Sequence, residues 1–73
     1  MTELGLYLAK RTVNKAEVSR RTGISKSRLT QLTSNASAKL RADELYLIAM
    51  AINADPGEMF MELLAGLRLR GKE

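Results

Sequence analysis

Residues 14–32 read NKAEVSRRTGISKSRLTQL, two short helical patterns with one glycine between them. Asn14 offers a side-chain oxygen at an N-cap, and Glu17 stands three residues on, the reciprocal pair of a capping box. A helix is therefore predicted from about Lys15 to Thr22. Gly23 stops it, because helices commonly end on a residue in the left-handed region, which glycine enters without strain. Ser25 is the next N-cap, opening a helix that is predicted to last to about Ser34. With Lys15 as position one, Val18 is fourth, Ser19 fifth, Gly23 ninth, Ile24 tenth, Leu29 fifteenth and Leu32 eighteenth. This is helix-turn-helix spacing: the apolar positions fill the angle between two steeply crossing helices, and the fifth must be small where the other helix passes over it.

Working outward, Leu4, Tyr7 and Leu8 form the stripe of a first helix that ends near Arg11 to Val13. Residues 35–40, NASAKL, are small and polar and read as a loop. Asp43 and Glu44 suit a helix N-terminus, and Leu45, Ile48, Ala49 and Ile52 give a fourth helix its inward stripe. Asp55 as N-cap, Pro56 at the first position and Glu58 at the third make the clearest helix start in the chain. Phe60, Leu63, Leu64 and Leu67 are expected to be that fifth helix's buried face, with residues 68–73 frayed. Apolar and polar residues nowhere alternate for long enough to make a strand. The expectation is one all-α domain over 1–73, five helices with the helix-turn-helix formed by the second and third.

Composition sets bounds on this reading. The 73 residues are 45% apolar and contain neither cysteine nor histidine. Disulfides are excluded and the usual zinc, copper and haem ligand sets are missing, so no metal or cofactor is expected. A domain this small has a thin margin of stability, which favours good helix packing or a dimer. No apolar run approaches the roughly 18 residues that span a bilayer, and the N-terminus lacks the order of a secretory signal. A cytoplasmic protein without a membrane partner is expected. The formal charge is +4, but nine basic residues face the single acid Glu17 between positions 10 and 41, while residues 43–67 hold five acids and no base. Such segregation suits a polyanion for one half; a solvated basic face is the alternative that charge alone leaves open.

At 100° per residue, Leu29 and Leu32 set the inward direction of the third helix. Its outward face then carries Ser27, Gln31 and Ser34, with Thr30 beside them and Lys26 and Arg28 flanking the N-terminal end. All of these side chains hydrogen bond, as entry into a DNA major groove requires, since donors and acceptors there differ between the four base pairs. Arginine suits guanine and glutamine suits adenine by bidentate pairing.

The stretch from Leu4 to about Phe60 resembles the DNA-binding domain of the phage repressor and Cro family, often called Xre-type, a five-helix, lambda-repressor-like fold. The resemblance rests on NKAEVSRRTGISKSRLTQL and on the later segments LYLIAMAI and DPGEMF. It implies that the third helix reads bases with Lys26, Ser27, Arg28 and Gln31, and that Asn14, Lys15, Ser34, Asn35 and Lys39 grip phosphate. Three departures stand out. Thr33 takes the place of a common glutamate near the end of the reading helix. Asn35 follows where glycine is usual, though asparagine tolerates the left-handed conformation. Lys15 stands where many relatives have glutamine, so it keeps a phosphate contact without an amide's geometry.

The resemblance implies double-stranded DNA as partner, in a prokaryotic or phage setting and on the nucleoid when bound. The expected role is a transcriptional regulator, a repressor on an inverted-repeat operator; a protein-binding module of the same fold, antitoxin or adaptor, is the alternative. Met59, Met61, Leu64 and Leu69 are either core filling or a homodimer surface along the fifth helix. Arg20 and Arg21 read as solvent-facing charges, and Tyr7 and Tyr46 as partly buried packing residues. An enzyme is not expected: no histidine base, paired carboxylates or phosphate-binding glycine motif is present, and no small-molecule ligand is anticipated.

Overall fold

A computed structural model of the chain describes residues 1–70. It contains five helices, α1 (Glu3–Lys10), α2 (Lys15–Thr22), α3 (Lys26–Ser34), α4 (Ala42–Ala51) and α5 (Pro56–Leu63), and among the described residues no strand. The expected frayed tail lies partly outside them, at 71–73; residues 68–70 are exposed and non-helical.

Local chemistry sets most of the boundaries. Asn14 Oδ1 accepts from the N–H groups of Ala16 (2.9 Å) and Glu17 (3.3 Å), Ser25 Oγ from Arg28 (3.1 Å) and Asp55 Oδ2 from Glu58 (2.8 Å). The capping box at Asn14 is only half formed, because the Glu17 carboxylate pairs with Arg20 one turn on. Gly23 ends α2 at φ +82°, its N–H donating to the Ser19 carbonyl at 2.9 Å. The Ser19 hydroxyl closes the same turn by donating to the Ile24 carbonyl at 2.6 Å.

Leu29, Ile48 and Met59, from α3, α4 and α5, are the largest fully buried side chains, and Leu4, Tyr7, Leu8, Val18, Leu32, Leu45 and Ala49 complete the core. Thr2 fastens the start of α1 to the end of α3. Its N–H donates to the Thr33 carbonyl (3.0 Å), its hydroxyl donates to the Leu32 carbonyl (2.6 Å), and the same hydroxyl oxygen caps α1 by accepting from Gly5 N–H (3.1 Å). Two carbonyls at the open end of α3 thereby gain partners.

Four expectations need correcting. The inward side of α5 is Met59, fully buried, with Leu63; Phe60, Leu64 and Leu67 are 49, 40 and 70% exposed. Two apolar stripes lie about 100° apart on this helix, and its packing on α1 and α4 selects the one through Met59. The helix ends at Leu63, so helical spacing no longer places Leu67. For the same reason Met59 is unavailable to any dimer contact, whereas Met61 and Leu69 are exposed. Asn35 is extended at φ −103°, not left-handed; its side-chain oxygen instead accepts from the N–H (3.0 Å) and hydroxyl (2.7 Å) of Ser37. Among the described residues the left-handed non-glycine ones are Thr12 (φ 56°) and Asn53 (φ 61°), in the turns after α1 and α4. Finally, Tyr7 is buried and Tyr46 is 54% exposed, so they do not share one environment.

Candidate nucleic-acid interface

The polar side of α3 faces solvent because Leu29, Leu32 and Thr33 turn its other side into the core. Thr33 is a polar residue among them, and its hydroxyl is satisfied by donating to the Leu29 carbonyl at 2.9 Å. Lys26, Ser27, Thr30, Gln31 and Ser34 are all exposed. The residues expected to grip phosphate surround this surface. Asn14 and Lys15 open α2, and Lys15 lines a concavity of about 390 Å³ together with Thr33 and Ser34, which places the head of α2 beside the tail of α3. Lys39 lies at the other end, its carbonyl bonded to Arg28 in the first turn of α3 (2.9 Å). Asn14, Lys15, Asn35 and Lys39 are exposed. In the free chain the Ser34 hydroxyl donates to the Thr30 carbonyl at 2.6 Å.

Arg28 departs from the expectation of a free base-reading side chain. Its Nε and Nη2 donate to the two oxygens of Glu44 at 2.9 and 3.1 Å, and Nη2 also donates to the Lys39 carbonyl. The pair is shielded, with Arg28 and Glu44 side chains 31 and 10% exposed. Sequence reading placed Glu44 only as a helix-start charge; its partner lies sixteen residues upstream and is brought to it by packing. The Arg28 guanidinium holds the Glu44 carboxyl below the usual carboxylate range, against the opposing effect of burial and helped by the Arg41 backbone N–H at 3.0 Å. The carboxylate in turn raises the guanidinium pKa.

The sign of the resulting pH dependence follows. A depressed folded-state pKa means that ionised Glu44 stabilises the fold above the ordinary carboxylate value of about 4.3, and that this contribution is lost as pH falls through the lowered value. Glu44→Gln should therefore be less stable than the parent chain at pH 7, with urea midpoints converging below about pH 4. A gap that persists undiminished at pH 3 would show that the ion pair is not its origin.

Charge pairing sorts the basic half further. Lys10, Arg20, Arg28 and Arg41 pair with Glu62, Glu17, Glu44 and Asp43. Arg21, expected to be a solvent-facing charge, reaches α4 and donates to the Ala51 carbonyl at 2.8 Å, while Arg11 lies over the Tyr7 ring at 4.5 Å. Lys15, Lys26 and Lys39 have no acidic partner among the described residues. Of the cations without an acidic partner among the described residues, these three lysines bracket the exposed side of α3.

Among the described residues no helix is long and apolar enough to cross a membrane, and no group of three or more His, Cys, Asp or Glu is placed to hold a metal ion. A family model described as the Cro/C1-type HTH DNA-binding domain matches residues 3–61. Neither the curated proteins nor the solved structures yielded a match.

Proposed function

The chain belongs to the Cro/C1-type helix-turn-helix DNA-binding family, and from that membership we propose that it is a sequence-specific transcriptional regulator, a repressor that covers its operator by laying α3 in the major groove. One observation carries this reading: the exposed polar side of α3 is flanked by Lys15, Lys26 and Lys39, which have no acidic partner among the described residues. Polar side chains address base edges and unpaired cations address phosphate. Ser27, Thr30 and Gln31 are the proposed readers; Lys26, which the resemblance assigned to bases, joins the phosphate contacts instead because no acid among the described residues pairs with it. Asn14, Lys15, Ser34, Asn35 and Lys39 are the other proposed phosphate contacts, with Ser34 exchanging its bond to Thr30 for one to phosphate.

Selection from random duplexes tests the proposal. An enriched motif is expected, and Gln31→Ala should lose about 1–3 kcal/mol at one base position and relax the choice there. Lys15→Ala should instead weaken every duplex alike and make the salt slope shallower by roughly one for each bound copy. A selection that enriches nothing would favour the protein-binding reading, for which the exposed Leu47, Met50, Phe60 and Met61 are the supporting observation.

The proposed regulator is a homodimer. Met61 and Leu64, in the acidic half that the reading surface does not use, remain exposed, as does Leu69 beyond it, between Arg68 and Arg70. Two copies would set their α3 helices about 34 Å apart, one turn of duplex, and read an inverted repeat. Sedimentation that shows a single copy both free and on such a duplex would remove the dimer.

A further inference from the structure

We propose that Arg28, although it projects from the first turn of α3, is a positioning residue: acting through Glu44 and the Lys39 carbonyl, it fixes the segment 39–41 so that the Lys39 ammonium meets the DNA backbone. This rests on the DNA-binding reading above and assigns Arg28 a different part in it.

Donor counting comes first. Guanidinium carries five N–H donors, and bidentate recognition of guanine needs two of them on neighbouring nitrogens. Nε–H and one Nη2 hydrogen go to Glu44, and the other Nη2 hydrogen goes to the Lys39 carbonyl. Only Nη1 remains, so no edge of the fork presents two free parallel donors.

Swinging Arg28 into a groove would also strand the Glu44 carboxylate, 10% exposed, without its cation and next to a polyanion. A buried charge stripped of its partner is strongly unfavourable. The ion pair therefore persists on DNA.

The pair joins three segments. Arg28 belongs to the first turn of α3 and Glu44 to the first turn of α4. Between them the chain is held on both sides of the half-buried Leu40, by the Lys39 carbonyl on Arg28 and by the Arg41 N–H on Glu44 Oε1. Lys39 is thus an exposed cation on a backbone pinned to the reading helix. Without the fork, this backbone segment loses both its carbonyl tie and the aligned carboxylate.

The test compares Arg28→Lys, Glu44→Gln and Lys39→Ala, singly and in pairs, by fluorescence anisotropy titration of the selected duplex and of single-base variants at several salt concentrations. Positioning predicts that Arg28→Lys and Glu44→Gln weaken all duplexes equally and make the salt slope shallower by roughly one for each bound copy, as Lys39→Ala does. Combining either with Lys39→Ala should add nothing further. Base preference should not move. If Arg28→Lys changes the preferred base at one position while Glu44→Gln leaves affinity intact or raises it, Arg28 is a reader and the proposal is overturned. Full additivity with Lys39→Ala overturns it as well.

Amide exchange without DNA separates this idea from the DNA-binding reading and serves if Glu44→Gln fails to fold. Arg28→Lys, which keeps a cation beside Glu44, should speed exchange at the Arg41 amide relative to the α3 core. Unchanged protection there refutes the clamp whatever the chain binds, whereas faster exchange in a chain that selects no duplex upholds the clamp and removes its proposed use.

Discussion

Gly5→Ala is expected to destabilise the chain, by about 1–3 kcal/mol, although alanine in a helix interior ordinarily gains up to about 1 kcal/mol over glycine. The reversal of sign comes from the crossing of α1 and α3. A β-carbon on Gly5 would sit 2.4 Å from the Thr33 carbonyl oxygen and 2.5 Å from Met1 Cγ. The methionine side chain can turn away. The carbonyl cannot do so cheaply, because it accepts from Thr2 N–H and its neighbour Leu32 accepts from the Thr2 hydroxyl. Relief of the clash must separate α1 from α3 or break these bonds, and both leave the end of α3 without partners. For a domain of this size the thermal midpoint should fall on the order of 10 °C. Gly66→Ala provides the contrast, since its added methyl meets nothing within 4 Å. Equal midpoints for the two variants would show that α1 and α3 have room to move apart. Because that carbonyl belongs to the reading helix, one residue before Ser34, Gly5→Ala should also weaken duplex binding at temperatures where the chain remains folded.

The helix boundaries were legible because their causes are local. Asn14, Ser25 and Asp55 cap within three residues of themselves, Gly23 answers a backbone requirement at its own position, and Pro56 can sit nowhere in a helix interior. The polar side of α3 was legible for a related reason: Leu29 and Leu32 are its only large apolar residues, so one direction alone could face the core. On α5 that argument fails. Met59, Phe60, Met61, Leu63 and Leu64 offer two apolar stripes, and the choice between them belongs to α1 and α4. Turn conformations failed similarly: closure of the fold puts Thr12 in the left-handed region, where a β-branched residue is strained, and leaves Asn35 extended. The division of the basic residues into paired and unpaired was also hidden. Glu44 meets Arg28 across sixteen residues and Glu62 meets Lys10 across fifty-two, separations at which spacing carries no signal. Yet that division decides which cations remain for a polyanion, and sequence counting, which gave all nine the same weight, overstated the field.

The proposed duplex binding should be steeply salt-dependent, and the number of unpaired lysines sets how steep. Each phosphate neutralised contributes about −0.9 to the slope of log affinity against log salt. Lys15, Lys26 and Lys39 give roughly −3 for one copy on a half-site and roughly −5 for two copies on an inverted repeat. Between 50 and 200 mM salt, the dimer should then lose on the order of a thousand-fold in affinity and the single copy only about forty-fold. Substitutions distinguish this count from general attraction to a basic surface. Lys26→Gln should make the slope shallower by roughly one for each bound copy. Arg20→Gln should leave it unchanged, because Arg20 already faces Glu17. Equal effects of the two would mean that the Glu17 pair opens on DNA and that proximity to acids in the free chain does not select the phosphate contacts. A slope near zero on the selected duplex would leave no phosphate contacts to assign, and the exposed side of α3 would then belong to a protein partner.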